Sequence, residues 1–174
     1  MAKKIIELER KLRSNSANER YLAALELAGL GIQAVPILSK ALKDDRKEVY
    51  EEATTGIIVL MNESEDIDKE KLLTLLKPAT ECLINIVEGA KVSRGVHSYS
   101  KYVTLAINTL KAIGDPIALP VLEKILAKVK NKLVKQGIVY KYVQTKSIAG
   151  YISTDDDIYH IQSAIKAIKN SRKK

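Results

Sequence analysis

The chain has no phenylalanine and no tryptophan, one cysteine, four prolines, and only six arginines among its 29 basic residues. Without large rings other than tyrosine, its core must be built from Leu, Ile, Val, Ala and Tyr, side chains that suit close helix–helix packing. A single cysteine, Cys82, excludes an internal disulfide framework and fits a reducing, cytoplasmic setting. Scarce arginine argues against base-specific DNA readout, which draws on bidentate Arg–guanine contacts. No stretch reaches the roughly 18 uninterrupted apolar residues of a membrane span, so no membrane partner is expected. The opening MAKKIIELERKLR has an amphipathic pattern rather than the apolar block and cleavage site of a signal peptide.

What is present is a repeat. Pro36, Pro78 and Pro120 stand 42 residues apart, each inside an apolar helical run: AVPILSKAL, LKPATECLI and ALPVLEKIL. A period near 40 residues marks a stack of helical hairpins, in which each unit buries its apolar face only against its neighbours. The 174 residues suffice for one such domain. The units fall at about 2–30, 31–62, 66–114 and 115–170.

The first helix is expected over about 2–13, with Ile5, Ile6, Leu8 and Leu12 as its apolar stripe. Ser16-Ala-Asn-Glu19 reads as a capping box for the second, which should stop at Gly29 and Gly31. The third helix carries Pro36 in its first turns, where a missing N–H costs least. The turn Lys43-Asp44-Asp45 caps the fourth, in which Val49, Ala53, Ile57 and Leu60 recur at helical spacing. After the acidic linker Asn62–Asp68, the fifth helix spans about 68–88 with a kink expected at Pro78. The sixth covers 96–113. Gly114-Asp115-Pro116 then supplies a stop, a cap and a first-turn proline for a seventh helix over 116–131. The eighth follows Thr154–Asp157 and runs to about 169.

Residues 132–153 form an insert in the last unit. Ile138 to Val143 are β-branched and aromatic and favour strand, so the segment reads as a small β-hairpin or irregular arm. An extension of the seventh helix is the competing reading.

Gly114-Asp115-Pro116 followed by Ala118-Leu119-Pro120-Val121-Leu122 resembles the start of a HEAT-like repeat of the phycobilisome-lyase type. Gly31 to Leu42 is similar to a second copy, and Val49, Ala53 and Ile57 match the family's second helix. The third unit departs from the pattern at Lys77, Thr80 and Cys82, the fourth through its insert. The resemblance implies an all-α fold, a short right-handed α-solenoid of about four hairpins. It says little of function, because such repeats serve scaffolds, lyase subunits, transport factors and DNA glycosylases. The glycosylases rely on aromatic residues, tryptophan among them, beside a carboxylate. With no tryptophan here those residues have no counterpart, and a non-catalytic role is expected.

Charge is unevenly distributed. Residues 1–87 hold 13 basic and 15 acidic side chains, residues 88–174 hold 16 and six. In a hairpin stack the turns within units share one edge and those between units share the other. The within-unit turns of units three and four contain Lys91 and Arg94, then Lys128, Lys130, Lys132, Lys135, Lys141 and Lys146. The between-unit turns hold Glu63, Glu65, Asp66, Asp68 and Asp115. A basic edge and an acidic edge are therefore expected. Lysine interleaved with Tyr140, Tyr142 and Tyr151 can bind a nucleic-acid strand by neutralising phosphates and stacking bases. The same tyrosines can equally pack the arm onto its neighbouring helices.

Other candidate chemistry is thin. Asp155, Asp156 and Asp157 are expected to serve a helix N-terminus rather than a cation. Cys82 reads as a small buried side chain. His97 and His160 lie 63 residues apart without ligand spacing to Cys82. No metal or cofactor is expected. The leading expectation is a scaffold gripping a protein through a concave surface lined by second helices. Tyr50 and His160 should face outward there, with Glu51 and Glu52 making its N-terminal part acidic. Nucleic-acid binding through the basic edge is the alternative, and a HEAT-like enzyme of the DNA glycosylase or lyase type is the least favoured third reading.

Overall fold

The computed structural model describes residues 2–63, 68–89, 101–135 and 154–171, with side chains over 3–63, 68–89, 101–131 and 158–171. Among these the chain is all-α, with eight α-helices and no strand. They are α1 (Ala2–Leu12), α2 (Ala17–Ala28), α3 (Val35–Ala41), α4 (Lys47–Glu63), α5 (Lys69–Glu88), α6 (Lys101–Ile113), α7 (Leu119–Lys135) and α8 (Thr154–Ser171). The strand expected within 138–143 and the turn at 89–98 lie largely or wholly outside the described residues.

Each helix packs on its successor within a pair: α1 on α2, α3 on α4, α5 on α6 and α7 on α8. Odd helices then form one row through α3–α5 and α5–α7 contacts. Even helices form the other through α2–α4, α4–α6 and α6–α8. One apolar core runs between the rows, from Leu8 and Leu12 through Leu38, Ile57, Leu76 and Ile107 to Leu122 and Ile161. Three threonines lie fully inside it. Thr54, Thr80 and Thr109 each donate the hydroxyl to a carbonyl of their own helix, on Glu51, Leu76 and Leu105, so none is buried unsatisfied.

Local chemistry explains most boundaries. Ser16 caps α2 by accepting from the Glu19 N–H, but the reciprocal half of the box is rewired. Glu19 accepts from the Ser14 hydroxyl, and Ser14 Oγ accepts from the Ser16 N–H at 3.1 Å. Asp68 caps α5 through the Glu70 and Lys71 amides, and Asp115 accepts from the Ile117 N–H. Pro36 sits in the first turn of α3, and α5 continues unbroken across Pro78.

Several expectations need correction. Ile6 is 66% exposed, because at 100° per residue it falls opposite Leu8 and Leu12. Helix α2 does stop at Gly29, but in a right-handed conformation; among the described residues the left-handed glycines are Gly31 and Gly114, with φ of 61° and 72°. A 3-10 turn over Gly31–Ala34 precedes α3, and another over Pro116–Ala118 precedes α7. Helix α7 reaches Lys135, four residues beyond its expected end, so its extension takes the first part of the proposed arm. Helix α8 starts at Thr154 itself, which places the Asp155–Asp157 run inside the helix.

Gly56 sets the spacing of the even row. A Cβ there would stand 2.8 Å from Leu38 Cδ2 and 3.2 Å from the Ala24 carbonyl oxygen. Leu38 is fully buried and the Ala24 carbonyl belongs to α2, so relief requires the Leu38 side chain to shift within the core and the α2 backbone to give by a few tenths of an ångström. Gly56→Ala should therefore lose about 1 kcal/mol, since overpacking of roughly 1–3 kcal/mol outweighs about 1 kcal/mol of helix propensity. Urea denaturation checks this; a stabilised variant would contradict the close approach.

Candidate interaction surface

The even helices are joined by side-chain contacts along their outer faces. Between α4 and α6, Lys101 Nζ lies 2.6 Å from Glu51 Oε2, and the Lys47 ammonium stands 5.3 Å from the Tyr102 ring centroid. Between α6 and α8, His160 Nδ1 and Asn108 Oδ1 are 3.2 Å apart. Tyr159 meets the His160 ring edge-on, at 5.8 Å between centroids. Half-buried Thr55 and Val59 on α4, Leu105 and Ala112 on α6, and Ala167 on α8 intersperse apolar surface among these polar groups.

Electrostatics differ along this row. Burial raises the Glu52 carboxyl above its usual range, with Arg20 pulling the other way and Glu51 adding to the rise. The Lys101 ammonium is raised mainly by its hydrogen bond to Glu51. Helix α6 contains no carboxylate and carries Lys101 and Lys111, whereas α4 carries Glu48, Glu51, Glu52 and Glu63, and α8 opens with Asp155, Asp156 and Asp157 before Lys166 and Lys169. The surface therefore passes from acidic on α4 to basic on α6.

His160 is half-buried at the α6–α8 seam. Tyr50 does not face outward. It is 4% exposed, its hydroxyl donates to the Tyr102 carbonyl at 3.1 Å, and its ring lies 5.5 Å from that of Tyr102. The reason is register: Tyr50 shares the inward face of α4 with Val49, Ala53 and Ile57. The structure brings Tyr50 to Tyr102 and His160 to Asn108, but the two pairs are separate. Lys101, Tyr102 and Asn108 were not singled out from sequence. Their spacing off the Val103-Ala106-Ile107-Leu110 stripe was the available signal.

Lys128 and Lys130 are exposed on α7, in the odd row, with no ion-pair partner among the described residues. Lys132 and Lys135 belong to α7 by backbone, while their side chains lie outside the described residues. Lys91, Arg94, Tyr140, Lys141, Tyr142 and Lys146 also lie outside them. Cys82 is half-buried rather than enclosed, with its thiol 3.8 Å from the Leu42 carbonyl and pushed upward in pKa by burial. No group of His, Cys, Asp or Glu that could hold a metal occurs among the described residues, and no helix there is long and apolar enough to cross a membrane.

No protein-family model and no curated protein matches the chain. Among solved structures it is similar to the crystal structure of an engineered protein, a Northeast Structural Genomics Consortium target, at 16% identity and a TM-score of 0.49. That likeness covers 95% of this chain and 62% of the other, so the chain spans less than two thirds of the engineered protein.

Burial pushes the Tyr50 phenol above its usual value, with smaller contributions from Cys82 and Tyr102. Because the folded value is raised, this contribution to stability is complete below about pH 10 and lost as pH rises beyond it. Tyr50→Phe should cost about 1 kcal/mol at pH 7. Above pH 10 the gap to wild type should close by up to about 1.4 kcal/mol per pH unit. Urea midpoints at pH 8 and pH 11 test this, and a constant gap would contradict it.

Proposed function

We propose that the chain is a HEAT-like, right-handed α-solenoid of four helical hairpins that acts as a non-catalytic scaffold. Its even helices line the concave side and grip a protein there. The observation that carries this reading is the unbroken even row: α2, α4, α6 and α8 follow one another, with Tyr21 and Leu22 on α2, Lys101 and Lys111 on α6 and Tyr159 on α8 exposed. Repeat stacks of this kind present extended surfaces to partners because each unit contacts only its neighbours. The mixture of half-buried aliphatic, small and charged side chains along that face suits a protein partner. Aromatic or apolar anchors supply affinity, and rim charges supply selectivity.

A second reading has its own support. Lys128 and Lys130 are exposed on α7 without carboxylate partners among the described residues, at the start of a chain segment that holds Lys132, Lys135, Lys141 and Lys146 before any acidic residue. Such a segment would attract a nucleic-acid backbone.

One experiment separates the two. A photo-crosslinking residue is placed at Tyr21 or Thr55 on the even row, or at Pro120 on the odd row, and the chain is expressed in its own cells. The scaffold reading expects one shared protein adduct from Tyr21 and Thr55 and none from Pro120. Adducts from Pro120 alone, or none at all, would contradict it. The nucleic-acid reading instead expects a gel shift that weakens with salt, with a log–log slope near −5 on duplex DNA if about six phosphates are neutralised. Replacing Lys128, Lys130, Lys132 and Lys135 with Glu should abolish that shift while the helical circular-dichroism signal persists.

A further inference from the structure

The turn between α1 and α2 and the start of α4 enclose a cavity of about 350 Å³, lined by Ser14, Asn15, Arg20, Arg46, Glu48 and Val49. It belongs to the turn edge rather than to the outer face of the even row. Two of the chain's six arginines line it.

Part of each guanidinium has a structural task. Arg20 Nη1 donates to the Ser14 and Asn15 carbonyls at 2.9 and 3.0 Å, and Arg46 Nη1 donates to the Arg13 carbonyl at 2.7 Å. These bonds tie the end of α1 to α2 and α4. They leave most of the donor capacity unused, since a guanidinium carries five N–H donors in a fixed fork. Asp44 serves both Arg13, at 3.0 Å, and Arg46, at a longer 3.4 Å. Arg20 makes no ion pair among the described residues; the Glu52 carboxyl feels its charge without forming a bond to it. Arg20 Nε is moreover buried with no acceptor. The Ser14 hydroxyl in the same lining is engaged elsewhere, donating to Glu19 and accepting from the Ser16 N–H.

The cavity wall thus sets two guanidiniums, one of them without an ion-pair partner among the described residues and holding an unsatisfied N–H, against a single carboxylate, Glu48. We infer that this cavity is an oxyanion site, in which Arg20 and Arg46 receive a phosphate or carboxylate group. Both chemistries match the planar fork, which forms paired, charge-assisted hydrogen bonds to two oxygens of one group. Glu48, the one carboxylate in the lining, opposes the ligand and sets its affinity low.

The test uses the full chain labelled with ¹⁵N-arginine. Its Nε–H resonances are followed by NMR during titration with sodium phosphate, sodium acetate and sodium chloride at matched ionic strength and pH 7. The expected result is saturable shifts of Arg20 and Arg46 with phosphate or acetate and none with chloride. Tighter phosphate binding assigns the site to phosphate groups, and tighter acetate binding assigns it to carboxylates. Glu48→Gln removes the opposing charge and should tighten binding about three- to tenfold. Arg46→Gln should weaken it at least tenfold with an unchanged circular-dichroism spectrum. If Arg46→Gln fails to fold, Glu48→Gln alone decides, because a gain in affinity cannot come from misfolding. Chloride shifts equal to those of phosphate and acetate, or an affinity that Glu48→Gln leaves unchanged, would overturn the inference.

Discussion

Close contact between consecutive even helices is the constraint on which the rest of the structure depends. Helix α4 is held between α2 and α6, and it reaches α2 only because Gly56 faces the Ala24 carbonyl without a side chain between them. Ala23, Ala24, Ala28, Ala53 and Ala106 extend the same economy of volume along the row. Larger residues, Leu38, Leu60, Leu76, Leu83 and Leu110 among them, then fill the space between the rows. Small residues within a row and leucines between rows make the stack possible without phenylalanine or tryptophan.

Such a stack buries nothing on the outer faces of the even helices, so those faces are free to differ in chemistry. They do. Lys101 reaches back to Glu51 where acidic α4 meets basic α6, and Asn108 and His160 bridge the next junction. The turn edge follows a different logic. There Arg13 and Arg46 flank Asp44, whose carboxyl burial alone would raise, and Arg20 holds the Ser14 and Asn15 carbonyls of the same turn edge. The Arg46 N–H and the two neighbouring guanidiniums of Arg13 and Arg46 hold it below its usual range. The arginines that the sequence uses so sparingly are thus half concentrated at one place in the fold.

Periodicity made the pairing order legible because it reports a face, and a face must be buried. Pro36, Asp68, Asp115 and Gly114 marked element ends for local reasons that tertiary packing did not override. Other details depended on angular position. Ile6 was grouped with Leu8 by proximity in sequence, although it lies on the opposite side of α1. Tyr50, expected on the concave surface, turns its ring inward instead, where its hydroxyl finds the Tyr102 carbonyl. Contacts such as Asn108 with His160 join residues 52 apart, and no single-chain pattern encodes that distance. The cavity beside Arg20 was equally invisible, since it depends on how the first turn of α4 meets the α1–α2 turn.

The central claim is sequential packing into an open row, and a distance across the whole row tests it most directly. Nitroxide labels at Leu22→Cys on α2 and Tyr159→Cys on α8, in a Cys82→Ala background, occupy sites 48% and 66% exposed. Three successive helix spacings of 8–10 Å put the two helices about 25–30 Å apart, so pulsed electron paramagnetic resonance should return a single distance of about 30 Å or more. A distance near 10–15 Å would mean that α2 and α8 close on each other as a bundle, and the open row would not exist.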